Sequence, residues 1–180
     1  VSLPREKESH VLTEGASREV RPDGTGRYVL AFDVGTTTLA AYLMDGHTGE
    51  LLARAGMQNP QITFGADVIS RIQAALRGEL MQLSALIRSA MEALIREVCS
   101  KAAISPEEIG VISVVGNPAM QQLFLGINPD NLSKPPFASI LTEPKVISCT
   151  DILPVCPDAK ILVVPDIAGF VGAEFADLAV

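Results

Sequence analysis

The sequence predicts a mixed α/β domain, and three observations predict it. Apolar runs of strand length open the patterned part of the chain, helical periodicity takes over in its middle, and strands and helices then alternate toward its end. Of the 180 residues, 48% are hydrophobic, enough to bury one substantial core or two small subdomains sharing an interface.

Residues 1–26 are rich in charge, Ser, Gly and Pro without apolar periodicity, and read as a linker, disordered or extended, arriving from something upstream. Residues 28–34 (YVLAFDV) and 38–44 (TLAAYLM) read as buried strands, 45–49 (DGHTG) as a hairpin turn and 50–57 (ELLARAGM) as a third strand. Three consecutive antiparallel strands therefore open the domain. Within 66–76, Val68, Ile69, Ile72, Ala75 and Leu76 recur at helical spacing. Gly78 interrupts, and a longer helix over 79–102 carries Leu80, Leu83, Ile87, Met91, Leu94, Ile95 and Val98 on one apolar face.

Ser105-Pro106-Glu107-Glu108 has the form of a helix start, but only a short turn fits before a buried strand at 111–115. That strand ends at Gly116 and Asn117, and Pro118 suits the first turn of a helix through Leu125, closed by Gly126. Residues 127–157 are proline-rich and read as an extended insertion with little regular structure, although PKVISCTD (144–151) suits a short strand. A last buried strand is expected at 161–164 and a further helix from Gly169 through Val180. The order is β-β-β-α-β-α-β-α, a mixed sheet with helices packed on it, as in one half of an actin-like, ribonuclease-H-like nucleotide-binding fold.

Fourteen Lys plus Arg against 21 Asp plus Glu leave a net charge of −7, a field that repels nucleic acid and anionic membrane. Neither is expected as a partner. No apolar run reaches the roughly 18 residues of a membrane helix, and VSLPREKESH lacks a signal-peptide core, so the expected location is cytoplasmic. Cys99, Cys149 and Cys156 are odd in number with no C-x-x-C pair, which argues for buried thiols over a disulfide framework or metal site. His10 and His47 stand alone and receive no role.

Chemistry concentrates at Asp33, Gly35, Thr36, Thr37 and Thr38, where the first strand runs straight into the second. Gly35 is expected to take positive φ in a two-residue turn and let the backbone approach a ligand. Successive N–H groups from Gly35 to Thr38 would then converge on phosphate oxygens, with threonine hydroxyls as further donors. Asp33 would face phosphate only across a divalent cation, orienting Mg²⁺ through water. ATP is the expected ligand. The plainer alternative is a turn whose Asp and Thr side chains satisfy local backbone groups.

Other residues divide in the same way. Asp67 is a candidate to approach the attacking water or the metal, or else half of a solvent-facing pair with Arg71 four residues on. Gly116 and Asn117 end a parallel strand, where ligand crevices form, although Asn117 also suits a helix cap. Gly169 and Gly172 fit close helix packing better than ligand contact.

Four blocks, DVGTTT (33–38), NPQITFGADVISRI (59–72), GNPAMQQLFLGI (116–127) and AGFVGA (168–173), resemble the actin-like ATPase domain of the reductive activators of corrinoid proteins. These are the activating enzymes of methyltransferase and O-demethylase systems. The resemblance implies that 27–180 is the first half of that ATPase domain, carrying the phosphate loop, with Mg-ATP closed against a second half that this chain lacks. It further implies a corrinoid protein partner, returned from Co(II) to Co(I), and a [2Fe–2S] domain in the parent protein that these cysteines cannot supply. Residues 129–144 are the candidate docking surface or else a passive surface loop, and a homodimer would cover the face left open by the missing half. A sugar or carboxylic-acid kinase half-domain and a non-catalytic actin-like scaffold remain as alternatives.

Overall fold

The computed structural model describes residues 26–165. Three antiparallel strands, β1 (Tyr28–Val34), β2 (Thr38–Asp45) and β3 (Leu51–Gln58), form one side of a six-stranded sheet. The other side comprises β4 (Ile109–Gly116), β5 (Lys145–Ser148) and β6 (Lys160–Val163), giving the order β3-β2-β1-β4-β6-β5. β4 runs parallel to β1 and β6 parallel to β4, whereas β5 is antiparallel to β6. The mixed sheet expected from the sequence is present, and the short strand that PKVISCTD suits lies at its edge as β5.

Strand alternation sets the two faces. Leu30, Phe32 and Val34 of β1, Leu39, Ala41 and Leu43 of β2, and Ile112 and Val114 of β4 are buried on the helix-covered face. Against them lies α2 (Leu80–Ala102), whose Leu83, Ile87, Met91, Leu94, Ile95 and Val98 are buried as the period of 3.6 requires. At about 25 cal/mol per Å² of apolar surface, each fully buried Leu or Ile here contributes roughly 1.5–3 kcal/mol. The shorter α3 (Pro118–Leu125) packs on α2, and Arg88 Nε and Ser84 Oγ both donate to the Phe124 carbonyl near its end.

The break expected at Gly78 is a kink rather than a stop. α1 (Val68–Ala74) continues through a π-helical stretch, Ala75–Glu79, directly into α2, and Gly78 absorbs the mismatch with φ of 101°. Ser105 and Glu108 form a capping box, yet the helix it opens is only the single 3₁₀ turn Pro106–Glu108, because β4 begins at Ile109.

The insertion departs most from expectation. Residues 127–157 contain one helical turn, α4 (Asp130–Ser133), the strand β5, and a 3₁₀ turn at Cys149–Asp151. Leu132, Leu141, Cys149, Leu153 and Cys156 are buried, so much of the segment packs onto the domain instead of extending from it. Proline content obscured these scattered apolar anchors. Cys99, Cys149 and Cys156 are free thiols, with burial pushing the Cys99 and Cys149 pKa values up to about 11 and about 12 and Cys156 higher still. They are unreactive packing residues.

Among the described residues no helix is long and apolar enough to cross a membrane. The expected linker at 1–26 lies almost entirely, and the helix at 169–180 with Gly169 and Gly172 wholly, outside the described residues.

Candidate functional site

The connection between β1 and β2 is residues 35–37, at the end of the sheet where parallel β4 also finishes. Because Phe32 and Val34 point into the core, Asp33 projects from the opposite face and is exposed. Thr36 is half-buried, and Thr37 and Thr38 are exposed. Gly35 does not take positive φ; the left-handed glycines among the described residues are Gly49, Gly78 and Gly126. The absent side chain has another cause: a Cβ on Gly35 would lie 2.7 Å from the Thr38 carbonyl oxygen. Close approach across the turn, not a left-handed dihedral, requires glycine here.

The loop's carbonyls are held from behind by a buried polar group that joins three segments of the chain. Asn59 Nδ2 donates to the Gly35 oxygen at 2.9 Å, Arg71 Nη2 to the Thr36 oxygen at 2.6 Å, and the Asn59 N–H to the Thr37 oxygen at 2.8 Å. Asn59, Gln61 and Arg71 are each 0% exposed. Arg71 is fixed in turn by Nε to the Gly65 oxygen at 2.9 Å, and by Nη1 to Gln61 Oε1 at 3.3 Å and Met120 Sδ at 3.4 Å. Gln61 Nε2 donates to the Leu83 oxygen at 2.9 Å, tying the group to α2.

That capture dictates where the amides go. In a trans peptide the C=O of one residue and the N–H of the next point in opposite directions. With the oxygens of Gly35, Thr36 and Thr37 drawn toward Asn59 and Arg71, the N–H groups of Thr36, Thr37 and Thr38 turn away from them. Among the described residues neither the Thr36 nor the Thr37 N–H donates to a protein acceptor. Consecutive outward amides form a concavity suited to an anion.

β4 and α3 close one flank. Asn117 caps α3, its Oδ1 accepting from Met120 N–H at 3.1 Å, while its Nδ2 donates to Thr36 Oγ1 at 3.1 Å. The two readings of this residue are thus compatible: one side chain caps the helix and also grips the loop threonine. Gly116 is buried, and a Cβ there would stand 2.8 Å from the Val34 oxygen, so strand packing accounts for the glycine. Gln121 Nε2 bridges the Gly116 and Val164 oxygens at 3.1 and 3.0 Å, pinning the ends of β4 and β6 together.

Asp67 and Arg71 are not a solvent-facing pair. Arg71 turns inward to the loop, and among the described residues it forms no ion pair. Desolvation lowers its pKa from the usual arginine value. Asp67 is exposed and caps α1, Oδ1 accepting from Ser70 N–H at 2.8 Å, and that bond holds its carboxyl below the usual range. Asn59, Gln61 and Met120 were not singled out from the sequence, and Arg71 only as a solvent-facing partner of Asp67. Their signal lay in the NPQ and GADVISR blocks, but helical spacing alone cannot tell an arginine turned inward from one facing solvent.

The RACo middle region family model matches residues 28–179. The chain belongs to this family. As a RACo middle region it is 38% identical over 150 residues to "Corrinoid activation enzyme RamQ" of Eubacterium limosum, covering 82% of this chain and 25% of that protein. The solved structure titled "Reductive activator for corrinoid,iron-sulfur protein" matches with a TM-score of 0.77 at 29% identity, over 82% of this chain and 24% of that one. This RACo middle region thus spans about a quarter of the length of the relatives it matches.

Proposed function

We propose that this chain supplies the first phosphate-binding wall of a Mg-ATP cleft in a reductive activator that returns an inactive Co(II) corrinoid protein to Co(I). Residues 27–180 then form the first half of an actin-like ATPase domain, with the opposing wall contributed from elsewhere in the protein. The carrying observation is the loop in which three successive carbonyls are held from behind and the following amides face outward.

The donor set fits a metal-bound polyphosphate. Thr36 and Thr37 offer N–H and hydroxyl donors, and the loop contains no basic side chain, so charge balance falls to a cation that Asp33 orients through water. Asn117 fixes the Thr36 hydroxyl, and Gly116 permits the close strand packing that places Asn117 there. Thr38 anchors the far side of the turn. Asp67 is the second carboxylate candidate, since α1 carries it one turn from the arginine that touches Thr36. Mg-ATP, when bound, supplies the phosphoanhydride whose hydrolysis offsets an uphill electron transfer. In this reading the electron comes from a [2Fe–2S] domain of the parent protein, in the cytoplasm, and residues 129–144, where Phe137 and Ile140 are exposed, face the corrinoid protein.

The test is ATP consumption by the full-length protein with and without a Co(II) corrinoid partner, with Co(I) followed by its absorbance. Hydrolysis that rises with the partner and tracks Co(I) supports the proposal. Hydrolysis raised by a sugar or carboxylic acid and indifferent to the partner marks a kinase, and tight Mg-ATP binding without turnover marks a scaffold.

A further inference from the structure

We propose that Arg71 is a positioning residue for nucleotide binding: through the Thr36 carbonyl its guanidinium holds the β1–β2 loop with its amides facing the phosphate, and the bound anion balances its buried charge. The inference rests on the phosphate-loop reading and adds a residue that never touches the ligand.

The argument begins from cost. A guanidinium that is 0% exposed and has no ion-pair partner among the described residues is expensive to bury, and packing alone does not require an arginine. Four acceptors receive it: the oxygens of Thr36 and Gly65, Gln61 Oε1 and Met120 Sδ. They come from the loop, the approach to α1, the turn after β3, and α3. Only a planar fork with several fixed donors satisfies them together. The shortest bond, 2.6 Å, goes to Thr36, the residue that Asn117 also holds by its hydroxyl. Thr36 is therefore fixed at two points, and its peptide plane has one way to face.

Charge points the same way. The nearest acidic side chain along α1, Asp67, is exposed and spent on its own cap; it attracts the guanidinium from a distance but forms no ion pair with it. An anion seated on the amide side of the loop would share one peptide unit with Arg71 and meet its field through low-dielectric protein.

The experiment measures Mg-ATP binding by calorimetry, together with the amide signals of Thr36 and Thr37, in full-length wild-type protein, Arg71→Lys and Gln61→Met. Lysine keeps the charge but cannot serve all four acceptors; methionine removes one of the four, together with the Gln61 bond to the Leu83 oxygen, and leaves the arginine in place. Arg71→Lys is expected to raise Kd roughly ten-fold, the worth of one charge-assisted hydrogen bond. Gln61→Met should raise it less, and KM should rise more than kcat falls in both variants. Should Arg71→Lys not fold, the Gln61→Met comparison decides alone. Variants that bind Mg-ATP with wild-type Kd and lose only folded protein, with kcat falling at constant KM, overturn the positioning role. Wild-type protein whose Thr36 and Thr37 signals ignore Mg-ATP refutes instead the phosphate-loop reading on which it rests.

Discussion

Strand β2 is bounded by two turns built from the same residue types and wired in opposite senses. At its start, Asp33, Gly35, Thr36 and Thr37 make a loop whose carbonyls are taken by Asn59 and Arg71. At its end, Asp45, Gly46, Thr48 and Gly49 make a turn whose amides are consumed locally. Asp45 Oδ1 accepts from His47 N–H at 2.8 Å and Thr48 N–H at 3.0 Å, and Gly49 N–H bonds the Asp45 oxygen at 2.8 Å. Gly46 N–H goes to the Arg27 oxygen, and Arg27 clamps the second carboxylate oxygen at 2.8 Å. One aspartate is turned out to solvent; the other is folded back over its own turn. Asp, Gly and Thr near a strand end therefore do not by themselves turn amides outward; on the proposed reading the direction of the peptide planes makes the phosphate seat, and distant residues set it.

The largest change expected from breaking this contrast is Gly35→Val, whose Cβ must displace the Thr38 carbonyl. Mg-ATP affinity should fall by roughly a hundred-fold or more, about 3 kcal/mol, measured by calorimetry on the full-length protein. Asp33→Ala comes next: with the fold intact by circular dichroism, the Mg²⁺ concentration for half-maximal ATP hydrolysis should rise roughly ten-fold. Unchanged kinetics at limiting Mg²⁺ would remove Asp33 from the site. Asn59→Ala frees one loop carbonyl, since the side-chain donor to the Gly35 oxygen is lost while the backbone N–H to the Thr37 oxygen remains. A stability loss of about 2 kcal/mol in urea is expected, with weaker Mg-ATP binding in the fraction that folds.

The smallest effect tests the other turn. Two backbone N–H bonds, from His47 and then Thr48, followed by Arg27, hold the Asp45 pKa at about 2, below its ordinary 3.8. A depressed carboxyl contributes stability in full above its unfolded pKa and loses it as pH falls through the folded value. Wild type should therefore lose stability between about pH 4 and pH 2 more steeply than Asp45→Asn, while Mg-ATP binding near neutrality is alike in the two. Equal acid slopes would show that the Asp45 carboxylate is not the group that closes this turn.

Much of the fold was legible because it follows from periodicity. The three opening strands, the apolar face of α2 and the α3 helix between Pro118 and Gly126 all lie within a residue or two of expectation. The insertion was legible only at β5, which lies within PKVISCTD (144–151), since Leu132, Leu141 and Leu153 follow no repeat. At the site, the loop itself stood out as a local motif, and so did Asn117 as a cap. Arg71 was misread because its partners Thr36 and Met120 lie 35 and 49 residues away. Gly35 was assigned to glycine's dihedral freedom when the contact with Thr38 governs it, a distinction that exists only in three dimensions.

The most direct measurement follows the backbone amides of both turns in isotope-labelled full-length protein as Mg-ATP is added. Thr36 and Thr37 should shift together, saturably and only with Mg²⁺ present, while His47 and Thr48 stay still. Movement at neither turn, or equal movement at both, would contradict a nucleotide seat made by outward-facing peptide groups.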